Sequence, residues 1–215
     1  MPSEDESKGP LIEVTPNGPV KISNLVNFFN SRGERIPAAQ TLWLCRCGGS
    51  QNKPFCDGQH TKIGFSGEKA KDRIKDKWHK FAGKKIIVHD NRGICSHSGV
   101  CTRNLSSVFN TGARPWINAD GADVDAIIDV VKRCPSGALR YSLEREEYKD
   151  FARQPAIAIE KNGPLNVTGG IEFRDDQGNK PGSEEHYSLC RCGASKNKPF
   201  CDGTHSAIKF TDEKN

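Results

Sequence analysis

Long apolar segments are missing from this sequence. No run approaches the roughly 18 residues that a membrane-spanning helix needs, and the first ten residues, MPSEDESKGP, are polar and acidic, unlike a secretory leader. Methionine occurs once and hydrophobic residues make up 34% of the chain, so any hydrophobic core must be small. We therefore expect a cytoplasmic protein with no membrane partner, whose residues 1–9 are disordered.

The sequence also lacks the motifs of common enzyme classes. It contains neither a glycine-rich nucleotide-binding loop nor a nucleophile paired with a base. Aromatic residues make up only 7% of the chain, and no nucleic-acid-binding motif accompanies its net charge of +5, which argues against a nucleic-acid partner. We expect a protein that is not an enzyme and that acts through what it binds.

Cysteine, in contrast, is abundant. The nine cysteines fall into three triplets, and their odd number and the polar start of the chain indicate reduced metal ligands rather than a disulfide scaffold. Two triplets belong to one repeated stretch, CRCGGSQNKPFCDGQH at 45–60 and CRCGASKNKPFCDGTH at 190–205. Each copy supplies three cysteines and a histidine, and these candidate ligands are Cys45, Cys47, Cys56, His60, Cys190, Cys192, Cys201 and His205.

The repeated stretch resembles the ligand loop of the CDGSH iron-sulfur family in its Cys-x-Cys start, its Pro54 and its Cys56-Asp57-Gly58 before His60. The resemblance implies that each copy holds a 2Fe-2S cluster through three cysteines and one histidine. The sequence departs from the family at Gln59, where Ser, Ala or Thr is usual, and we expect this residue to alter the exposure of the first cluster without removing a ligand. Zinc accepts the same ligand types, so a structural zinc remains an alternative.

The histidine ligand has consequences for the chemistry. Cys45 and Cys47 are so close in sequence that we expect them to bind one iron, which leaves Cys56 and His60 for the other. A neutral imidazole in place of a fourth thiolate removes one negative charge, which raises the reduction potential above that of plant-type ferredoxins. Because histidine titrates near neutral pH, such a site also suits a pH-sensitive protein that releases its cluster.

Charged residues of the two loops have separate expected roles. Asp57 and Asp202 lie between ligands, and we expect them to accept hydrogen bonds from the loop backbone. Four cations are expected to offset cluster charge, to hold a histidine across the two halves, or simply to remain solvated: Arg46, Arg191, Lys53 and Lys198.

The repeat extends beyond the ligand loop, since residues 10–69 align without a gap with residues 155–214. Apolar and polar residues alternate on both sides of Asn17-Gly18, which predicts a β-hairpin. Each half is therefore predicted to form a small antiparallel sheet that carries one ligand loop. Because single-motif members of the family pair as homodimers, the resemblance implies an intrachain pseudo-dimer, with the middle unit inserted as a separate lobe.

The third triplet, Cys95, Cys101 and Cys134, lies in this middle unit. Cys95, Ser98 and Cys101 occupy the positions of a C-x2-C-x2-C cluster loop whose middle cysteine is replaced. Residues 85–89 are predicted to form a strand. An apolar stripe predicts a helix that begins after Asp123 and ends before Cys134-Pro135, and its members are Val124, Ile127, Ile128 and Val131. The unit resembles the divergent mono-cluster ferredoxin family.

The cluster type of the middle unit is left open by its ligands. Three thiolates suffice for a 3Fe-4S cluster, which the missing cysteine favours, whereas a 4Fe-4S cluster needs His97 or Ser98 as a fourth ligand. Alternatively, His97 only forms a hydrogen bond near the site, or Cys95, Cys101, Cys134 and His97 bind a structural zinc.

A basic segment connects the first half to the middle unit. Residues 69–85 hold eight lysines or arginines against two aspartates, Asp72 and Asp76. This charge suits the docking of an acidic redox partner or of phosphate, and it equally suits a solvated linker.

We divide the α+β chain into a disordered N-terminus (1–9), a first CDGSH-type domain (10–69), a basic linker (70–77), a ferredoxin-like cluster domain (78–143), a linker (144–154) and a second CDGSH-type domain (155–215). The sequence predicts an iron-sulfur protein with three clusters that transfers electrons to or from a redox partner protein. The alternatives are a redox- or pH-sensitive donor or sensor that passes a 2Fe-2S cluster to an apo-acceptor, and a zinc-stapled scaffold. The oligomeric state is left open.

Overall fold

The computed structural model describes residues 9–144 and 146–215, so the predicted disorder of the N-terminus lies outside the described residues except at Gly9. The first half contains β1 (Leu11–Val14), β2 (Val20–Ser23), β3 (Asn27–Phe29), β4 (Thr41–Leu44) and α1 (Gln59–Lys62). The second half contains β9 (Ala156–Ile159), β10 (Leu165–Thr168), β11 (Glu172–Asp175), β12 (Tyr187–Leu189) and α4 (Thr204–Ala207). The middle unit contains β5 (Trp78–Ala82), β6 (Ile87–Asn91), a 3-10 turn (Arg92–Ile94), α2 (Val100–Asn104), α3 (Val124–Lys132), β7 (Leu139–Leu143) and β8 (Glu146–Tyr148).

The two halves exchange one strand each. One four-stranded sheet has the order β11-β1-β2-β4, and the other has the order β12-β10-β9-β3. Hairpin pairing within each half is antiparallel, as the sequence predicts, with Ile12 opposite Ile22 in the first half. The exchanged strands instead pair in parallel, β11 with β1 and β3 with β9. Since β3 and β11 are equivalent in the repeat, the exchange is reciprocal and defines the pseudo-twofold relation.

A single hydrophobic core lies between the two sheets. It contains fully buried side chains of both halves, including Ile12 and Phe28 from the first and Ile157, Leu165 and Tyr187 from the second. The alternation of the strands explains this, because in β1 every second side chain points into the core. The α+β class and the intrachain pseudo-dimer that were expected from the sequence are thus confirmed.

The middle unit has its own sheet and core. Its strands pair antiparallel in the order β5-β6-β7-β8. Helix α3 covers β7, and it buries Ile127 and Val131 of the predicted stripe together with Val130. Asp123 occupies the N-cap position, although its side chain forms no capping hydrogen bond. The sequence predicts a linker at 144–154, but residues 146–148 of this segment pair with β7 and form strand β8 of the middle sheet.

The basic linker runs along the second half. Ala70 donates its backbone N–H to the carbonyl oxygen of Lys196, at 2.8 Å, and the Lys196 ammonium forms an ion pair with Asp72. Residues 70–72 therefore lie on the ligand loop of the second half, whereas residues 75–77 lie against Gly93 and Asn91 of the middle unit. None of the helices formed by residues 9–144 and 146–215 combines the length and the apolar character that crossing a membrane requires.

The ligand loops of the two halves meet at the pseudo-twofold axis. Cys47 and Cys192 form an antiparallel bridge there. Gly193, with φ of +79°, packs so tightly that a β-carbon on it would lie 2.3 Å from the carbonyl oxygen of Cys47. Gly48 approaches Cys192 in the same way, at 2.5 Å. The contact between the halves thus requires glycine at both positions.

We predict that Gly193→Ala lowers the free energy of unfolding much more than Gly178→Ala does. Gly178 also has a positive φ, +70°, but none of the atoms in residues 9–144 and 146–215 would lie within 4 Å of a β-carbon there. Both substitutions pay about 1 to 2 kcal/mol for a left-handed alanine, and only Gly193→Ala also pushes the halves apart. Denaturant unfolding of the two variants measures the difference, and equal losses would contradict the role of this contact.

Candidate metal centres

Strand ends and loop hydrogen bonds position the repeated ligands. Strand β4 delivers Cys45, whose N–H donates to the Pro54 carbonyl at 2.8 Å, and Cys56 returns to the same strand end by donating to Trp43 O at 2.8 Å. Cys190 and Cys201 repeat these bonds with Pro199 and Ser188. The loop is thereby folded back so that its four donors stand at one end of the sheet.

Aspartate and serine side chains stabilise each loop, as the sequence predicts for the aspartates. Asp57 accepts the N–H groups of Gln51 at 2.8 Å and Gln59 at 3.1 Å, and the bond from Gln51 is the largest cause of a lowered pKa for this carboxyl. Ser50 donates its hydroxyl to the Phe55 carbonyl at 2.7 Å. Asp202 and Ser195 form the corresponding bonds in the second half.

The donors of each loop are arranged as two pairs. The sulfurs of Cys45 and Cys47 are 3.6 Å apart and those of Cys190 and Cys192 are 3.7 Å apart. The Cys56 sulfur lies 3.4 Å from Nδ1 of His60, and the Cys201 sulfur lies 3.3 Å from Nδ1 of His205. A tetrahedral metal with bonds of about 2.3 Å to sulfur and 2.0 Å to nitrogen would hold such pairs roughly 3.8 and 3.5 Å apart. Each pair therefore fits one metal ion.

The pairs do not merge into a single site. Within residues 9–144 and 146–215, no group of three or more His, Cys, Asp or Glu side chains converges on one metal position. Each loop presents two pairs of donors, and each pair has the spacing that one metal ion requires. The remaining ligands of each metal would have to come from the bound group itself.

The thiols of the pairs differ in acidity. A hydrogen bond from Cys47 lowers the pKa of Cys45 to about 6, and a hydrogen bond from Cys190 lowers the pKa of Cys192. Burial raises the pKa of Cys201. Buried thiols of this kind become thiolates when a metal ion supplies the compensating charge, so their proton release is coupled to metal binding.

The two loops differ in exposure although their sequences are nearly the same. Cys47, Cys56 and His60 of the first site are half-buried, whereas all four ligands of the second site are buried. The middle unit explains the difference, because Asn197 in the second loop donates Nδ2 to the Gly93 carbonyl at 3.0 Å. The equivalent residue in the first loop, Asn52, is exposed.

One buried arginine in each loop connects that loop to the hairpin of its own half. Arg46 donates Nε to the Gly18 carbonyl at 2.9 Å, and Arg191 donates Nε to the Gly163 carbonyl at 2.7 Å. Their burial excludes a solvated role. Burial is the larger effect and lowers the pKa of both arginines. A cysteine of the opposite half acts in the other direction and raises the pKa, Cys190 for Arg46 and Cys45 for Arg191.

The arginines differ in their partners. Arg191 Nη1 forms a buried ion pair with Asp212, and both side chains are 2% exposed. Gly67 occupies the position equivalent to Asp212 in the first half, and Nη1 of Arg46 has no hydrogen-bond partner among the described residues. The two lysines behave differently from the arginines, since Lys53 donates to the Ser50 carbonyl and lies 5.9 Å from the ring of Phe210, while Lys198 is half-buried.

The third cysteine triplet surrounds a cavity in the middle unit. Cys95 follows the 3-10 turn, Cys101 lies in α2 and Cys134 follows α3, and burial raises the pKa of Cys95 to about 12. Ser98 lines the same cavity, which His97 does not. The structure therefore brings Ser98, but not His97, to the three cysteines.

His97 points to the second ligand loop instead. It adopts φ of +56°, and its N–H donates to the Cys95 sulfur at 3.4 Å. Its side chain packs against Gly203, where a β-carbon would lie 2.6 Å from the His97 β-carbon. The direction of this side chain depends on how the middle unit packs on the second half, and no local sequence pattern reveals it.

Two residues at the middle cavity were not predicted from the sequence. Asp90 and Arg92 both line it, 3.9 Å apart, and burial raises the pKa of Asp90 to about 6. The sequence signal that could have identified Asp90 is its position as a charged residue near the end of the apolar strand β6. A charge that is buried in such a strand usually has a specific partner. Arg92 places a positive charge beside three thiols.

Comparisons with known proteins match all three units. A family described as an iron-binding zinc finger of CDGSH type matches residues 17–61 and 162–206. A family described as a divergent 4Fe-4S mono-cluster matches residues 81–144. Two curated relatives, both called uncharacterized protein YjdI, come from Escherichia coli strain K12 and Escherichia coli O157:H7. Each is 46% identical over 61 residues, which are 28% of this chain and 80% of the relative.

We predict that Asp212→Ala lowers the free energy of unfolding by about 3 to 5 kcal/mol, because it leaves the Arg191 charge buried without a partner. The neighbouring Glu213 is exposed, and Glu213→Ala serves as the matched control with an expected change within about 0.5 kcal/mol. Denaturant unfolding measures both. If the two variants lose equal stability, the buried ion pair is not a major contribution.

Proposed function

Because this chain belongs to the CDGSH-type iron-binding family and carries a divergent 4Fe-4S mono-cluster domain between its two CDGSH domains, we propose that it is an electron-transfer protein with three iron-sulfur clusters. The observation that carries the proposal is the pairwise arrangement of the ligands in each CDGSH loop. Iron-sulfur clusters supply reversible one-electron transfer at potentials set by their ligands and surroundings.

The ligand pairs support a 2Fe-2S cluster in each loop. Cys45 and Cys47 would hold the inner iron, and Cys56 and His60 the outer iron, with bridging sulfides as the remaining ligands. Cys190, Cys192, Cys201 and His205 repeat this set. In each loop the ligands stand in two close pairs, so we favour two irons over a single structural zinc, which would take all four protein ligands around one position.

In the middle unit we propose a 4Fe-4S cluster on Cys95, Cys101 and Cys134, with Ser98 as the fourth ligand. The description of the matched family and the position of Ser98 at the cavity support this choice over the 3Fe-4S cluster that the donor count alone favours. Arg92 offsets the negative charge of the thiolates. The backbone N–H of His97, which donates to the Cys95 sulfur, stabilises the thiolate form.

The surroundings of the sites support electron transfer rather than catalysis. Backbone hydrogen bonds hold the cysteines at the strand ends, and the sequence lacks the motifs of substrate chemistry, so we propose that the protein is not an enzyme. Exposed lysines of the basic linker, such as Lys71, Lys75 and Lys77, would attract an acidic one-electron carrier protein. All nine cysteines are free thiols, which suits a reducing compartment such as the cytoplasm.

A second candidate function is a redox- or pH-sensitive donor that passes a 2Fe-2S cluster to an apo-acceptor. The exposure of the first site favours it, since His60 and Cys56 are only half-buried and a cluster there is open to an acceptor's thiols. The buried second site is poorly suited to this role. The two functions therefore make different demands on His60.

The experiment that tests the proposed function is metal analysis with EPR of the purified protein. We expect about seven or eight irons per chain, with a matching amount of sulfide and no zinc. EPR spectra before and after dithionite identify the middle cluster, because an oxidised 3Fe-4S cluster is paramagnetic and an oxidised 4Fe-4S cluster is silent. A colourless protein with stoichiometric zinc would refute the proposal.

We predict that His60→Cys and His205→Cys lower the reduction potential of the altered site by on the order of 100 mV, because an added thiolate disfavours the reduced state. Potentiometric titration followed by EPR measures the shift, and His79→Cys, at an exposed position of β5, is the control. If the protein transfers electrons, both variants should keep their clusters. If it is a cluster donor, the His60→Cys variant should no longer pass the cluster of the first site to an acceptor. Unchanged potentials would mean that these histidines are not ligands.

A further inference from the structure

We propose that the middle site exchanges electrons directly with the second CDGSH site and not with the first, through a contact between His97 and Gly203. This inference deepens the proposed function and rests on it. It concerns the order of the relay, which the presence of three sites alone does not determine.

The first observation is a short chain of contacts between ligands of the two sites. His97 donates its N–H to the sulfur of Cys95, at 3.4 Å, and Gly203 donates its N–H to the sulfur of Cys201, at 3.4 Å. The His97 side chain packs directly on Gly203, because a β-carbon built there would overlap its Cβ, Cγ and Cδ2. Two N–H···S hydrogen bonds and one van der Waals contact thus connect Cys95 to Cys201.

The second observation is that this contact belongs to a packed interface. Asn197 donates to the Gly93 carbonyl in a buried hydrogen bond. Gly93 lies three residues before Ser96, close to the start of the middle ligand loop. Gly182 of the second half packs against the Ile94 side chain, and its carbonyl accepts from Arg140. The middle unit is therefore held on the second half at several points, which keeps His97 against Gly203.

The first CDGSH loop provides an internal comparison. Gly58, the equivalent of Gly203, has nearly the same φ, +84° against +85°, but a β-carbon on it would meet no atom of the described residues within 4 Å. Asn52, the equivalent of Asn197, is exposed. The two loops have the same types of ligand, and within the part of the chain that the structure describes it is the second loop that contacts the middle unit.

The redox step across this contact involves one electron. A one-electron reductant, such as a reduced carrier protein, reduces the middle site, which then passes one electron to the oxidised second site. The middle site is oxidised by one electron, the second site is reduced by one, and no bond or proton is exchanged. Because electron transfer slows steeply with distance, removal of the ring between the two loops should slow the step. The half-exposed first site is left to meet the external partner.

The first measurement uses two chains that each keep one CDGSH site beside the middle site. Cys56→Ser retains the second site and Cys201→Ser retains the first. After iron and sulfide are counted, both chains are reduced with dithionite and examined by EPR. We expect the remaining CDGSH signal to be broadened and to relax faster through the reduced middle site in Cys56→Ser, and to lack this coupling in Cys201→Ser. Equal coupling in both chains overturns the inference.

The second measurement keeps all ligands and decides the matter if one of those chains loses its clusters. His97→Gly removes every side-chain atom that packs on Gly203, including Cβ and Cγ, and glycine tolerates positive φ. Asn197→Ala removes the hydrogen bond to Gly93, and Asn52→Ala is its matched control in the first half. Each holoprotein receives a pulse of radical reductant, and absorbance follows the redistribution of electrons. Wild type and Asn52→Ala should show a first-order phase that is independent of protein concentration.

In His97→Gly and Asn197→Ala this phase should be slowed or lost, while the iron content and the EPR signal of the middle site stay unchanged. An unaltered phase in both variants overturns the inference, and so does an equal loss in Asn52→Ala. A changed middle signal in His97→Gly would also overturn it, since His97 would then act as a ligand. Failure of the proposed function is distinguishable, because it would appear as a lack of iron and sulfide in the wild-type protein.

Discussion

The reciprocal exchange of β3 and β11 is the constraint on which the rest of the structure depends. Each sheet is completed by a strand from the other half, and one hydrophobic core serves both. The exchange brings the two ligand loops together at the Cys47–Cys192 bridge, where glycine permits the close approach of the backbones. Neither loop could be held in this position by its own half, because a small sheet alone buries too little apolar surface.

Much of the site could be predicted from the sequence, because local chemistry determines it. The ligand spacing, the turn residues and the loop aspartates all act within about fifteen residues, and their patterns are visible in both copies. The parallel pairing of β3 with β9 joins segments more than a hundred residues apart, so no periodicity reveals it. The direction of His97 and the burial of Asp90 depend likewise on packing between units. The sequence could therefore propose candidate ligands, which remain a prediction, but it could not reveal the non-equivalence of the two CDGSH loops.

That non-equivalence arises from the surroundings and not from the ligands. The middle unit covers the second loop through Asn197 and leaves Asn52 of the first loop in solvent. Asp212 neutralises Arg191, whereas Gly67 stands in its place in the first half and Nη1 of Arg46 has no hydrogen-bond partner in the described part of the chain. Since reduction potentials of iron-sulfur clusters respond to nearby charge and to solvent exposure, two sites with the same donors need not have the same potential.

The covalent connection of the halves has a further consequence. In a homodimer every substitution appears in both subunits, so its two sites remain identical by symmetry. In this chain each copy can acquire its own substitutions, as Gln59 opposite Thr204 and Gly67 opposite Asp212 illustrate. The halves also associate within one molecule, so dilution does not separate them. Tandem duplication thus converts a symmetric pair into two sites that selection can specialise independently.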